Sequence, residues 1–276
     1  MHSLLFIPAN KPRYFENRDI LNADAIIVDF QDAIDSTLTL SYIPDVMRGI
    51  ENCDHTKFYI RINELFSSEL ITSFMETSKV VGFVIPNFDM DPESENIVNF
   101  CLEHGHKPVV IIESVRAILH LPLLLEKYSN SIHALMFGSE DYLKSMGIFR
   151  SKEALLFPRS YIAMHAKAYS IPCFDSIFPS TAISPDFMQD VQEAKKLGFS
   201  GKLAIHPKQV TAINTIFETF DLSIEELQRI VNAYNEFTHS TGETIMKYGD
   251  MVIEPPHIAF FLSLIKKDSP DKNGSK

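Results

Sequence analysis

Residues 108–147 read PVVIIESVRAILHLPLLLEKYSNSIHALMFGSEDYLKSMG. Two short apolar runs, Val109–Ile112 and Ala134–Phe137, flank a leucine-rich segment with helical spacing, so the stretch reads strand–helix–strand. A continuous apolar run of four to eight residues is the pattern of a strand buried on both faces of a parallel sheet. Strands joined through a helix run in the same direction, which brings their C-terminal ends to one side. The first run ends in Glu113 and the second leads to Glu140 and Asp141, so these carboxylates are expected at one crevice. Carboxylates held close together repel unless a proton or a cation lies between them. With oxygen ligands alone on offer, Mg²⁺ is the natural occupant. The competing reading is that the acidic residues cap the helices that follow, where they complement the helix dipole.

The pattern extends over the chain. Apolar runs ending in polar or turn residues occur at Ser3–Ile7, Ala25–Phe30, Phe58–Ile62, Phe83–Ile85, the two runs above, Cys173–Phe178 and Leu203–Ile205. Helical signals connect them at Tyr14–Leu21, Ser67–Thr77, Ser94–Glu103, Val115–Lys127, Tyr161–Tyr169 and Phe187–Leu197, and Val210–Phe220 follows the last run. Eight strands alternating with helices predict an α/β protein, a (β/α)8 TIM barrel over residues 1–220, whose function belongs at the C-terminal mouth of the strands. An open doubly wound sheet is the alternative. Residues 221–267 are expected to form a helical extension or lid, opening with Ser223 and Glu226 in the spacing of a capping box. Within it Met251–Ile253 suggests a short strand and His257–Ile265 a helix. The polar end, 268–276, is expected to be a disordered tail.

Bulk properties narrow the function. A net charge of −11 argues against a nucleic-acid partner, which needs concentrated Lys and Arg. Three scattered cysteines, Cys53, Cys101 and Cys173, have no metal-ligand spacing and suit a reducing compartment. Neither a signal segment nor an apolar run near ~20 residues is visible, and a cytoplasmic protein with no membrane partner is expected. The ten histidines form no pair at zinc-ligand spacing. Neither GxxxxGK[ST] nor GxGxxG occurs, which argues against nucleotide hydrolysis and dinucleotide redox chemistry.

The strand motifs SLLFIPANKPRYF, ADAIIVDFQDAI, FYIRIN, VVIIES, MFGSEDYLKSMG, FPRSYIAMHAKAYSIPCFDSIF and GFSGKLAIHPKQV together resemble those of the citrate lyase β-subunit-like family, within the HpcH/HpaI aldolases and malyl-CoA lyases. The resemblance runs from Ser3 to about Phe217. It implies a carbon–carbon lyase acting on a β-hydroxyacyl thioester, a coenzyme A ester, in a homo-oligomer (trimer or hexamer). It also implies that Glu113 and Asp141 are the two Mg²⁺ carboxylates, that Arg61 grips a substrate carboxylate, and that the first loop helps hold the coenzyme A ester. The chain departs from the family pattern in three places: Gln31 replaces a usual Glu, Asn87 a usual Lys and Ala9 a usual Gly.

On this reading Glu113 and Asp141 hold a Lewis acid, and Arg61 supplies a planar fork. Asn10, Lys11 and Arg13 form a local positive patch for phosphate or pantetheine groups, with Gln31 and Asn87 also at the mouth. Asp32, near the mouth, is the candidate catalytic carboxylate, although Asp29 and Asp32 fit an orienting role equally well. Glu140 is a candidate water-holder beside Asp141. Asp175, His206, Arg159 and Arg116 are expected to be structural. Two rival functions stay open: an aldolase for free hydroxy-keto acids, and a barrel of weakened chemistry acting as a binding or assembly subunit.

Overall fold

In the computed structural model, which describes residues 1–268 apart from 33, 56, 64, 66, 220 and 221, eight parallel strands close into a barrel. They are β1 (Ser3–Pro8), β2 (Ala25–Asp29), β3 (Phe58–Arg61), β4 (Val80–Ile85), β5 (Val109–Ile112), β6 (Ala134–Phe137), β7 (Cys173–Asp175) and β8 (Gly201–Ala204). Leu4 of β1 pairs with Leu203 of β8, which closes the ring and rules out the open sheet. The surrounding helices are α1 (Ile43–Asn52), α2 (Ser67–Phe74), α3 (Pro92–Glu103), α4 (Val115–Tyr128), α5 (Ser139–Met146), α6 (Lys152–Ala168), α7 (Pro185–Lys196) and α8 (Pro207–Glu218).

Alternation along the strands builds two apolar layers. Leu4, Ile27, Tyr59, Val84, Ile111, Met136, Phe174 and Leu203 form one cluster of strand residues that fills the barrel. Their neighbours in sequence, such as Leu5, Ile26, Ile60, Val110 and Leu135, pack outward with the helices. Serines and aspartates start the helices as expected of N-caps: Asp91, Ser114, Ser151 and Ser184 each accept a backbone N–H from the first turn.

Several local expectations differ from the structure, among them β4, which begins at Val80 and not at Phe83. Tyr14–Leu21 is not one helix but two 3-10 segments, Pro12–Glu16 and Arg18–Asn22, parted by the extended backbone of Asn17. Helix α6 begins nine residues before Tyr161; Pro158 disguises it, because an internal proline removes one helical hydrogen bond, while the buried face of Leu155, Arg159 and Ile162 holds the helix together. Strand β7 stops at Asp175. Strand β8 starts at Gly201 and includes Lys202, which is wholly buried.

That lysine explains the seam between β7 and β8. Its Nζ lies 2.6 Å from Asp175 Oδ2 and 2.7 Å from Asp190 Oδ2, and donates to the Ser176 carbonyl at 2.6 Å. Arg159 grips the same Asp175 with two donors, at 3.0 and 2.7 Å. Burial alone would raise the pKa of Asp175; the Lys202 and Arg159 charges outweigh it and hold the carboxyl below its usual value. Asp175 and Arg159 are thus structural partners of each other.

The chain divides into two compact units, Met1–Phe217 and Glu218–Lys276. The second holds α9 (Ile224–Thr241), an antiparallel ribbon of β9 (Met246–Tyr248) and β10 (Met251–Ile253), and α10 (Pro255–Asp268). Its core is Leu227, Ile230, Val231, Tyr234, Met246, Ile253, Ile258 and Phe261. Ser223 caps α9 by accepting the Glu226 N–H at 3.1 Å, while the Glu226 carboxylate turns to Arg229 and Tyr248 instead of completing a capping box. Strand β9 falls in a stretch that reads as polar. The tail 269–276 lies outside the described residues. Among the described residues, no helix is long and apolar enough to cross a membrane.

Breaking a buried pair by removing one partner strands the other charge, at a typical cost of about 3–5 kcal/mol. Asp175→Asn should lower unfolding stability by about that amount, read in urea or guanidinium titrations. The depressed carboxyl contributes stability that is complete above the unfolded value of about 3.9 and is lost as pH falls through its lower folded value. The variant should therefore show a shallower loss of stability below about pH 4 than the parent.

Candidate active site

The register of the parallel strands brings the polar strand ends together. Ile112 pairs with Phe137, so the next residues, Glu113 and Gly138, stand side by side. Gly138 has a φ of −100°, a conformation open to any residue, so its role is spatial. A Cβ there would lie 2.5 Å from Glu113 Cβ and 2.6 Å from its Oε2. The missing side chain is the space that the Glu113 carboxyl occupies. Asp29 pairs with Arg61 across β2 and β3 in the same way.

These strand ends open on a cavity of about 310 Å³. Its polar wall is Asp29, Asp32, Arg61, Glu113, Glu140 and Asp141; its apolar wall is Phe6, Ile111, Phe137, Ile177, Leu203 and Ile205. Glu113 and Asp141, 28 positions apart, thus share one cavity. Glu113 is only 4% exposed. Burial, the largest influence, pushes its pKa up to about 7; the Asn87 N–H and Arg61 pull it down, and the Asp141 and Asp32 charges push it further up. A desolvated carboxylate facing like charges is stabilised by a positive partner.

Arg61 does not meet that need alone. Its Nε and Nη2 bond to Asp29 at 2.8 and 2.7 Å, and Nη2 also bonds to Asp32 at 2.8 Å. The guanidinium lies 5.0 Å from the Phe6 ring centroid. Burial would lower its pKa, but Asp29, Asp32 and Glu113 raise it above the ordinary arginine value. The two-pronged face is therefore spent on Asp29, and Asp29 and Asp32 act as orienting groups for Arg61. Among the described residues, no group of three or more His, Cys, Asp or Glu is set to hold a metal. The donor set on offer is Glu113 with Asp141, leaving the other positions to water or substrate. That combination suits a hard divalent cation, which is commonly held through one or two carboxylates.

The other sequence candidates separate from this cavity or change role. Asn87 acts through its backbone: its N–H donates to Glu113 Oε1 at 2.5 Å, from a left-handed conformation with φ of 49°. Asparagine adopts that region more readily than most residues. Gln31 donates its N–H to Asp29 at 2.9 Å, and its side-chain oxygen is buried without a hydrogen-bond partner among the described residues. Arg13 lines a neighbouring cavity with Tyr14, Asn17, His206, Pro207 and Lys208, while Lys11 is exposed and Asn10 half-buried. His206 is thus outside the main cavity. Glu140 lines it, but its carboxylate is paired with Arg150 at 2.5 Å. Three features escaped the sequence reading. The apolar wall was legible as alternate residues at strand ends, whereas Gly138 and Arg150 carry no local signal.

Gly138→Ala should cost about 1–3 kcal/mol of stability, the usual scale of an overpacked site, measured by denaturant unfolding. At position 87, Val should lose stability, since a β-branched side chain resists φ near +50°.

Comparison with known proteins gives the family and the fold. Residues 2–207 match the family model HpcH/HpaI aldolase/citrate lyase. The citrate lyase β subunit of Leuconostoc mesenteroides is 24% identical, over 92% of this chain and 88% of its own. The mitochondrial citramalyl-CoA lyase of Homo sapiens is 22% identical, over 92% of this chain and 81% of its own. Among solved structures, the protein CitE of Mycobacterium tuberculosis, in complex with magnesium, acetoacetate and coenzyme A, superposes with a TM-score of 0.74 at 15% identity. That match covers 96% of this chain and 97% of the other. With three-quarters of its length inside the family model and the closed eight-stranded barrel to match, the chain belongs to the HpcH/HpaI aldolase/citrate lyase family and is a lyase of that family.

Proposed function

We propose that this lyase is Mg²⁺-dependent and cleaves the carbon–carbon bond of a β-hydroxyacyl thioester, a coenzyme A ester. The observation that carries the reading is the charge imbalance of the cavity: of the five carboxylates lining it, Arg61 answers Asp29 and Asp32 and Arg150 answers Glu140, which leaves the buried Glu113 beside Asp141, whose ion-pair partner among the described residues is Lys144 at 3.9 Å. The names of the relatives support the class, and the ligands of the tuberculosis protein support the metal and the thioester.

Glu113 and Asp141 would hold the cation, which when bound supplies Lewis-acid polarisation of the substrate's hydroxyl oxygen and adjoining carboxylate. Cleavage breaks the bond between the α and β carbons. The β-hydroxyl loses its proton and becomes a carbonyl, and the electron pair departs on the α carbon as a thioester enolate that is then protonated. Arg61 is fixed by Asp29, Asp32 and the Phe6 ring, so it meets a substrate carboxylate through Nη1, pre-oriented at no further entropic cost. Asp32, 62% exposed at the rim, is the carboxylate we assign to proton exchange with solvent. Asn10, Lys11 and Arg13 would meet the phosphate and pantetheine portions. We extend the proposal to a homo-oligomer, a trimer or hexamer. The exposed Leu119 of α4, Phe157 of α6 and Phe149 between α5 and α6 are large apolar side chains that a second copy would cover.

Malyl-, citramalyl- and citryl-CoA, assayed with Mg²⁺, should include at least one ester cleaved to acetyl-CoA and a keto acid. Chelation should abolish the reaction, and Glu113→Gln or Asp141→Asn should slow it about 100-fold or more, the scale of a lost electrostatic stabiliser. Cleavage that persists in chelator would overturn the metal dependence, and cleavage of free hydroxy-keto acids alone would point to the thioester-independent aldolase instead.

A further inference from the structure

Asp141 is poorly held by its own side chain. Among the described residues its carboxylate has one ion-pair partner, Lys144 at 3.9 Å, and is about half exposed. Its position therefore follows from its backbone, in the first turn of α5. That turn lacks the usual anchor: the N-cap is Gly138, which has no side chain to accept a backbone N–H, and it must be glycine to admit Glu113. The glycine that makes room for one metal carboxylate thus deprives the helix carrying the other of its cap.

Arg150 holds the same turn by another route, donating to side chains of that turn, since a guanidinium only donates and cannot cap its N–H groups. Helix α5 ends at Gly147, whose φ of +69° is the left-handed C-cap, and the reversal brings Arg150 back to the start of the same helix. Its Nη1 donates to Ser139 Oγ at 2.9 Å and to Glu140 Oε1 at 2.5 Å. Its Nη2 donates to the Ile177 carbonyl just beyond β7, at 3.3 Å, and the guanidinium lies 6.0 Å from the Phe178 ring centroid. One side chain thereby ties the first turn of α5 to the neighbouring strand end, across the cavity rim formed by Ser139, Glu140 and Ile177. It also offsets the charge of Glu140 beside Asp141.

We infer that Arg150 is a positioning residue for metal binding: it holds the uncapped first turn of α5 so that Asp141 stands over the same cation as Glu113. The inference rests on the proposed metal role of those two carboxylates and adds a residue that touches neither substrate nor metal. Loss of an outer residue that orients a metal ligand typically weakens metal affinity about 10–100-fold.

The test is Mn²⁺ binding to the full-length protein, titrated by electron paramagnetic resonance without substrate, beside the thermal midpoint of the metal-free protein. Arg150→Met keeps the apolar stem and should raise the Mn²⁺ Kd about tenfold or more while the metal-free midpoint stays near the parent's. Arg150→Lys should recover part of the affinity, because an ammonium still reaches Glu140. Glu140→Gln, which leaves the Ser139 and Ile177 contacts in place, should weaken binding less than Arg150→Met. Parent-like Mn²⁺ affinity in Arg150→Met overturns the inference. So does a loss that Arg150→Lys does not relieve and that tracks a fall in the midpoint, since that marks general destabilisation. A parent protein that binds no Mn²⁺ overturns the metal reading itself, and this one with it.

Discussion

Glu113 keeps its carboxyl group at the top of β5 in a space almost closed to water, and the active end of the barrel is arranged around the cost of doing so. Desolvation disfavours the charge, and neighbouring carboxylates add to the penalty. The compensation comes in pieces. The Asn87 N–H arrives from a left-handed turn after β4, and Gly138 gives up its side chain so that the carboxyl fits. The charge of Arg61 acts from the far side. What is left over is the attraction for a cation, and it arises from the parallel register that sets the ends of β5 and β6 next to each other.

The opposite wall of the mouth is governed by a different economy. Arg61 is the one guanidinium lining the cavity, and Asp29 and Asp32 hold two of its three nitrogens. A side chain so thoroughly bonded keeps its orientation with no substrate present, which favours pre-organised electrostatics over a mobile grip. It also gives up the two-pronged contact that an arginine at this strand position suggests. Phe6, Ile111, Ile177, Leu203 and Ile205 add only apolar surface to the same lining.

Much of this was readable in the chain before folding. The runs Val109–Ile112 and Ala134–Phe137 are strands with those very bounds, because buried parallel strands write themselves as unbroken apolar runs. The common direction of strands joined through a helix set Glu113 at one crevice with the Glu140–Asp141 pair, and the family resemblance singled out Asp141. Other features were illegible for definite reasons. Lys202 hid the start of β8, since a wholly buried lysine is rare and its partners Asp175 and Asp190 are distant in sequence. Pro158 hid the first half of α6. Asn87 was weighed for its side chain, and it is its backbone N–H that reaches Glu113. Arg150 matters through contacts made after a chain reversal, and no periodicity encodes those.

The salt-bridged seam between β7 and β8 also bears on how this family can diverge. Lys202, Asp175 and Arg159 are wholly or almost wholly enclosed, and the two cations are answered by Asp175 together with Asp190. Drift at any one of them passes through an unbalanced intermediate that the fold penalises at once. Positions of this kind change in concert or not at all. Distant relatives should accordingly preserve the trio intact or exchange it wholesale for an uncharged plug, and chains caught midway should be scarce.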